Sequence, residues 1–272
     1  MKLLPALILL FSVLFSYRPF AQEISPEVAR FEALAGASVA QEGCWSAFGN
    51  QAGLANIKQT VLAVSFQNRF LLDELSGRSG LLVWPVQSSV FALSVFQFGK
   101  TTFRQEQYGL AYARQMNTRF NFGFQFNYYR LYFSEENKFG STPGVELGFQ
   151  YSLNNQTVLG VHVRNPYRTA IKTQSANYYF TSGIVVGVLY RFSDSFRASS
   201  EFEYDFGKHV LYRTGLEYDI LENLFLRAGV AGNPVQLSGG FGFHYNLFHI
   251  DLATSYHTVL GNSPSVSFQY QF

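Results

Sequence analysis

His244 and His249 stand on either side of Asn246-Leu247, and Asp251 follows shortly after. Two imidazoles and a carboxylate at such short range could hold a metal ion or exchange protons. Their spacing matches no ligand pattern that demands a metal, and no nucleophile with an adjacent base accompanies them. No metal, no cofactor and no enzymatic activity is expected; the plainer reading makes them polar lining of a wet interior. A second group of charges says more. Arg197, Glu201 and Glu203 share one parity of Ser195–Phe206, while Phe196, Phe202, Tyr204 and Phe206 share the other. In the next segment Arg213, Glu217 and Asp219 alternate with Tyr212, Thr214, Leu216 and Tyr218. Side chains of a strand alternate between faces, so each segment has a charged face and an aromatic one. Pairing Phe206 with Val210 across a short turn sets Glu203 opposite Arg213 and Arg197 opposite Asp219. Opposite charges across a strand pair are favourable, and a one-residue slip would turn them all onto the aromatic face.

The elements that position these charges follow one pattern. Arg119–Phe133 reads RFNFGFQFNYYRLYF. Phe120, Phe122, Phe124, Phe126, Tyr128 and Tyr132 form one face, broken only by Arg130. The other face carries Asn121, Gly123, Gln125, Asn127 and Tyr129. The chain of 272 residues is 47% hydrophobic and 18% aromatic but only 14% charged. Soluble domains run at about 25% charged. Mean hydropathy is only +0.02, and beyond the N-terminus no run of about 18 apolar residues could form a spanning helix. An all-β, transmembrane antiparallel β-barrel fits these facts: aromatic faces meet lipid and charged faces line the lumen. An arginine turned to hydrocarbon at the midplane would cost about 2–4 kcal/mol. Arg197, Glu201, Glu203, Arg213, Glu217, Asp219, His244, His249 and Asp251 are therefore the lumen-lining candidates, with His162 and Arg164 as further lining.

From Gln59 onward, turn-forming residues divide the chain into about fourteen alternating segments. Their connections alternate in character. Tight polar turns stand at Gln87-Ser88, Met116-Asn117, Asn154-Asn155-Gln156, Ser193-Asp194, Glu222-Asn223 and Asn246-Leu247. More variable connections occupy 69–78, 99–102, 134–141, 165–180, 207–208, 232–234 and 258–263. Short turns on one side of a membrane and longer loops on the other produce this alternation. Gly239, Gly240 and Gly242 lie within a strand, where small residues make room for a plug or a bend.

Residues 1–21 read as a secretory signal, Met1-Lys2 followed by an apolar run from Leu3 to Phe15, with cleavage expected between Ala21 and Gln22. The single Cys44 has no disulfide partner and reads as a buried or lumenal thiol. A net charge of +2 with no basic run implies no nucleic-acid partner. The final segment places Val266, Phe268, Tyr270 and Phe272 on one face. It resembles the C-terminal signal that the assembly machinery of bacterial outer-membrane barrels reads.

Residues 22–58 lack alternation. Within them Gly36-Ala37-Ser38-Val39-Ala40 is followed by Asn50, Gln51, Ala52, Gly53, Leu54 and Ala55. This arrangement resembles the start of the FadL-like outer-membrane family, including the PorV/PorQ-type barrels of Bacteroidetes. There an Asn-Pro-Ala-Gly-Leu-Ala-like motif precedes the first strand; here Gln51 replaces the proline. The resemblance implies a plug at 22–58 inside a fourteen-stranded barrel at 59–272. It also implies one of two roles: passage of hydrophobic or amphipathic small molecules, or a part in type IX secretion or surface assembly. Outer-membrane lipid, the assembly machinery and secretion-system proteins are the partners it suggests.

Overall fold

The computed structural model describes residues 24–26, 28–134, 138–172, 177–207, 209–232 and 235–272. The signal segment 1–21 and its cleavage point lie outside them. Fourteen strands close into one antiparallel barrel. The strands are β1 (Val61–Asn68), β2 (Ser76–Val86), β3 (Ser89–Gly99), β4 (Phe103–Gln115), β5 (Phe120–Phe133), β6 (Lys138–Ser152) and β7 (Thr157–Arg164). After a small hairpin, β8 (Ala170–Lys172) and β9 (Asn177–Tyr179), come β10 (Gly183–Arg191), β11 (Phe196–Asp205) and β12 (His209–Leu221). The barrel ends with β13 (Leu224–Ala231), β14 (Gln236–Tyr245), β15 (Phe248–His257) and β16 (Gly261–Gln271), which pairs with β1.

Burial is inverted relative to a soluble protein. On β5, Phe124 and Phe126 are 36% and 46% exposed, while Gln125 and Asn127 between them are 1% and 0% exposed. Aromatic and aliphatic side chains cover the outside, and polar ones line much of the interior. No helix among the described residues is long and apolar enough to cross a membrane. Arg130 breaks the outer face three residues from the end of β5 and pairs with Glu106 of β4 at 3.3 Å.

The β11–β12 register differs from the expected one by two residues. Tyr204, not Phe206, opposes Val210, so Glu201 faces Arg213 and Glu217 faces Arg197. The turn starts early because the Asp205 carboxylate accepts the Gly207 N–H at 2.9 Å, an Asx-type turn. A two-residue slip preserves the faces, so the charges still point inward. The 165–180 connection also differs: its described residues include the paired strands β8 and β9, which pack in the barrel mouth. Phe180 stacks on Tyr129 at 4.4 Å, and the Tyr178 hydroxyl donates to Gln105 at 2.9 Å. Asn165 pins its base by donating to Ser182 Oγ at 2.8 Å.

Candidate functional site

Residues 28–57 lie inside the barrel. Helix α1 (Ala29–Ala33) has no side-chain N-cap. The wall supplies one instead, since Ser267 Oγ accepts the Ala29 N–H at 2.8 Å. Ala35, at φ +54°, closes the helix by donating to the Glu32 carbonyl, and Gly36, at φ +86°, follows where the chain passes the Arg213 side chain. The stretch Asn50–Leu54 forms a 3-10 turn with Asn50 as its cap. The Asn50 side chain accepts the Ala52 N–H at 3.1 Å and donates to the Val39 and Phe149 carbonyls at 2.7 and 3.0 Å. Gln51, which replaces the family's proline, donates to Glu146 at 2.8 Å. Gly53 lies against the Gln41 carbonyl, and Leu54 is wholly buried.

The wall is notched to receive this segment. A Cβ at Gly123 or Gly148 would collide with Asn50–Ala52, at Gly160 with Val39, at Gly215 and Gly229 with Leu34 and Ala35, and at Gly240 with Ala33. Gly239 makes no such contact, and Gly242 instead makes room for Arg227 and Asp251. Close backbone approach explains glycine inside these strands.

Two sides of the lumen grip the segment differently. Along β1–β4, Val61, Ala63, Leu81, Val83, Val90, Ala92, Ala111 and Ala113 form one buried apolar cluster with Val28, Phe31, Cys44, Trp45 and Leu54. Along β10–β15 the contact is mainly ionic, beside a smaller apolar cluster of Val39 and Ala40 with Val158, Val185 and Leu189. Arg30 of α1, Arg197 and Arg227 all pair with the buried Glu217. Arg197 also reaches Asp219 at 3.1 Å and Arg227 reaches Asp251 at 2.6 Å. Arg213 bridges Glu201 at 2.8 Å and Glu203 at 2.5 Å, and Arg164 pairs with Glu203. Glu201 then accepts the Ser38 and Val39 N–H groups at 2.8 and 2.9 Å. The candidate charges thus gather in two clusters. His244 and His249 stand apart, ring against ring at 3.7 Å.

Residues beyond the candidate set complete the site. Arg227 sits at an inward parity position of an otherwise apolar strand, a signal visible in the sequence. Arg30 lies in the non-alternating segment and carries no such signal. Glu146 accepts from Asn127 and Gln51, each at 2.8 Å, and lies 3.0 Å from His162. Cys44 donates to Gln269 at 2.7 Å, and burial pushes its thiol pKa up to about 12.

The segment separates two cavities. The one toward the longer connections measures about 590 Å³. Phe31, Val39, Phe48, Phe70, Phe98, Phe103, Val185 and Leu211 supply apolar lining, with Arg164, Arg213, Glu201 and Glu203 on one wall. The one toward the short turns measures about 510 Å³ and is lined by Arg30, Trp45, Lys58, Arg197, Arg227, His244, His249 and Asp251.

No family model matches the sequence, and no curated protein matches it. Solved structures do. The chain is similar to the Pseudomonas putida toluene transporter TodX, with TM-score 0.70 at 11% identity over 91% of this chain and 97% of that one. A Pseudomonas aeruginosa FadL homologue aligns with TM-score 0.69 at 13% identity over 92% and 99% of the two chains. The Ralstonia pickettii toluene transporter TbuX aligns with TM-score 0.65 at 11% identity over 93% and 100%. At these identities the likeness is one of fold, and the fold shared is that of FadL-type outer-membrane barrels.

Proposed function

We propose that this chain is an integral outer-membrane protein that passes hydrophobic or amphipathic small molecules passively through its barrel. The carrying observation is the cavity of about 590 Å³, lined by Phe31, Val39, Phe98, Phe103, Val185 and Leu211 above an occupied lumen. Sites for small ligands have this size and apolar character. The fold neighbours, two of them described as toluene transporters, support the reading. An apolar solute leaves water for the apolar side of such a cavity. Residues 138–145 of β6 pair in the sheet with β5 alone, because β7 begins pairing at Glu146. The edge is not open, since the Asn165 N–H donates to the Val145 carbonyl at 3.0 Å and Ile171 packs against Gly140.

Targeting by residues 1–21, recognition of the last strand by the assembly machinery through Phe272, and contact of the aromatic exterior with outer-membrane lipid belong to the same reading. The PorV/PorQ-type placement and a part in type IX secretion rest on the resemblance at residues 50–55 alone. Deletion that leaves secretion normal would remove that alternative.

The test uses vesicles with lipopolysaccharide in the outer leaflet, a barrier to apolar solutes, carrying the purified barrel. Initial uptake of labelled toluene and medium-chain alkanes should exceed that of protein-free vesicles, with no gain for a disaccharide. Equal uptake with and without the barrel for every apolar solute would defeat the proposal.

A further inference from the structure

Two of the chain's five histidines form a pair. His244 and His249 oppose each other directly in the β14–β15 register, one pair in from the turn. Their ring planes are tilted by 52°, and Phe225 lies against His244 at 4.4 Å. The ion-pair clusters that grip residues 28–57 do not use them. His249 Nδ1 is buried without a hydrogen-bond partner. Both rings line the short-turn cavity of about 510 Å³.

Directly opposed β-carbons stand about 4.5–5.5 Å apart, and an imidazole nitrogen binds a transition ion at about 2.0–2.1 Å. One ion between the rings can therefore meet a nitrogen of each after small side-chain rotations. Among the described residues no group of three or more His, Cys, Asp or Glu could hold a metal ion, and Asp251 is held by Arg227. The remaining coordination positions fall to water, for which the cavity has room. We propose that His244 and His249 form a two-histidine site for a divalent transition-metal ion at the short-turn mouth of the barrel. Imidazole ligands favour Cu²⁺, Ni²⁺ and Zn²⁺, with Cu²⁺ the tightest, over Mg²⁺ and Ca²⁺, which prefer oxygen. The site lies on the far side of residues 28–57 from the apolar cavity, so it stands whether or not that cavity carries solutes.

Tag-free barrel in detergent is titrated with CuCl₂ and, separately, MgCl₂. Electron paramagnetic resonance reads nitrogen coordination, and fluorescence of the Trp84→Phe variant reads Trp45, which lines the same cavity. Loss of even an outer-shell partner weakens metal sites by about 10–100-fold. His244→Ala and His249→Ala should therefore each weaken Cu²⁺ binding by about tenfold or more. The unmodified barrel should bind Cu²⁺ through two nitrogens and quench Trp45, Cys44→Ser should bind as the parent does, and Mg²⁺ should have no effect. Copper spectra without two-nitrogen coordination would overturn the proposal whether or not the variants fold. So would undiminished Cu²⁺ affinity in a folded double variant.

Discussion

The β1–β4 side of the lumen and the β10–β15 side hold the same segment by opposite means. The first is a small dry core, with Trp45 and Leu54 packed on Val83, Ala92 and Ala113. The second is a charged lattice in which Glu217 meets three arginines. Apolar packing is non-directional and scales with the area and volume filled. Ion pairs out of water are geometric, and removing one partner strands the other. The contrast teaches how a barrel with an apolar exterior can still own a core: residues 28–57 bring it, and the β1–β4 side receives most of it, with a smaller share at Val158, Val185 and Leu189.

Glu217→Ala should have the largest effect, because it leaves Arg227 buried beside Asp251 alone. Breaking a buried pair costs about 3–5 kcal/mol, seen as a lowered guanidinium midpoint of the detergent-folded barrel. Leu54→Ala attacks the dry side and should cost about 2–5 kcal/mol through the cavity it leaves. These two residues share no partner, so the double variant should lose nearly the sum, within about 0.5 kcal/mol; strong non-additivity would mean the two sides are not independent grips. Asn50→Ala strands the buried Ala52 N–H that its side chain caps and should cost about 1–3 kcal/mol.

The thiol of Cys44 gives a smaller, pH-dependent effect. Its ordinary pKa of 9.0 is raised to about 12 by burial. The folded chain keeps a proton that the unfolded chain releases, so this contribution is intact below about pH 9 and is lost as pH rises toward 12. Alkylation by iodoacetamide at pH 8.5 (a condition chosen, about the ordinary thiol pKa) should be slow in the folded barrel and fast after unfolding. Smallest of all is Asp73→Asn outside the wall. Its hydrogen bond and ion pair with Lys100 hold the carboxyl below its ordinary range. Any stabilisation is therefore present above that range and lost only at acid pH. The pair is exposed to solvent, and the midpoint at neutral pH should not move.

Much of this was legible in the sequence. Strict alternation in β5 and β11 identified the inward and outward faces, and the alternating connections placed the short turns on one side. The register of β11–β12 was not legible to better than two residues, because a slip of two keeps every face and only the Asp205 turn decides it. The β8–β9 pair leaves no signal in the sequence because three-residue strands carry too few positions to show a period. The dry side is hidden for a different reason. In β2 and β3, inward Leu81, Val83, Val90 and Ala92 stand beside outward Leu82, Leu93 and Val95, so alternation fades where the wall meets residues 28–57. Arg30 could not be found at all, since its role depends on where a non-periodic segment docks.

The central claim is that the apolar cavity, with residues 28–57 docked beneath it, is the path for apolar solutes. Leu211 lines that cavity and belongs to neither grip, so Leu211→Trp fills the space while leaving the docking contacts in place. The decisive measurement is initial toluene uptake by lipopolysaccharide-faced vesicles carrying the parent barrel or the variant at equal density. Uptake above the protein-free rate for the parent, falling close to that rate for Leu211→Trp, is the predicted result. Equal uptake by parent and variant, or no uptake above protein-free vesicles by either, would contradict it.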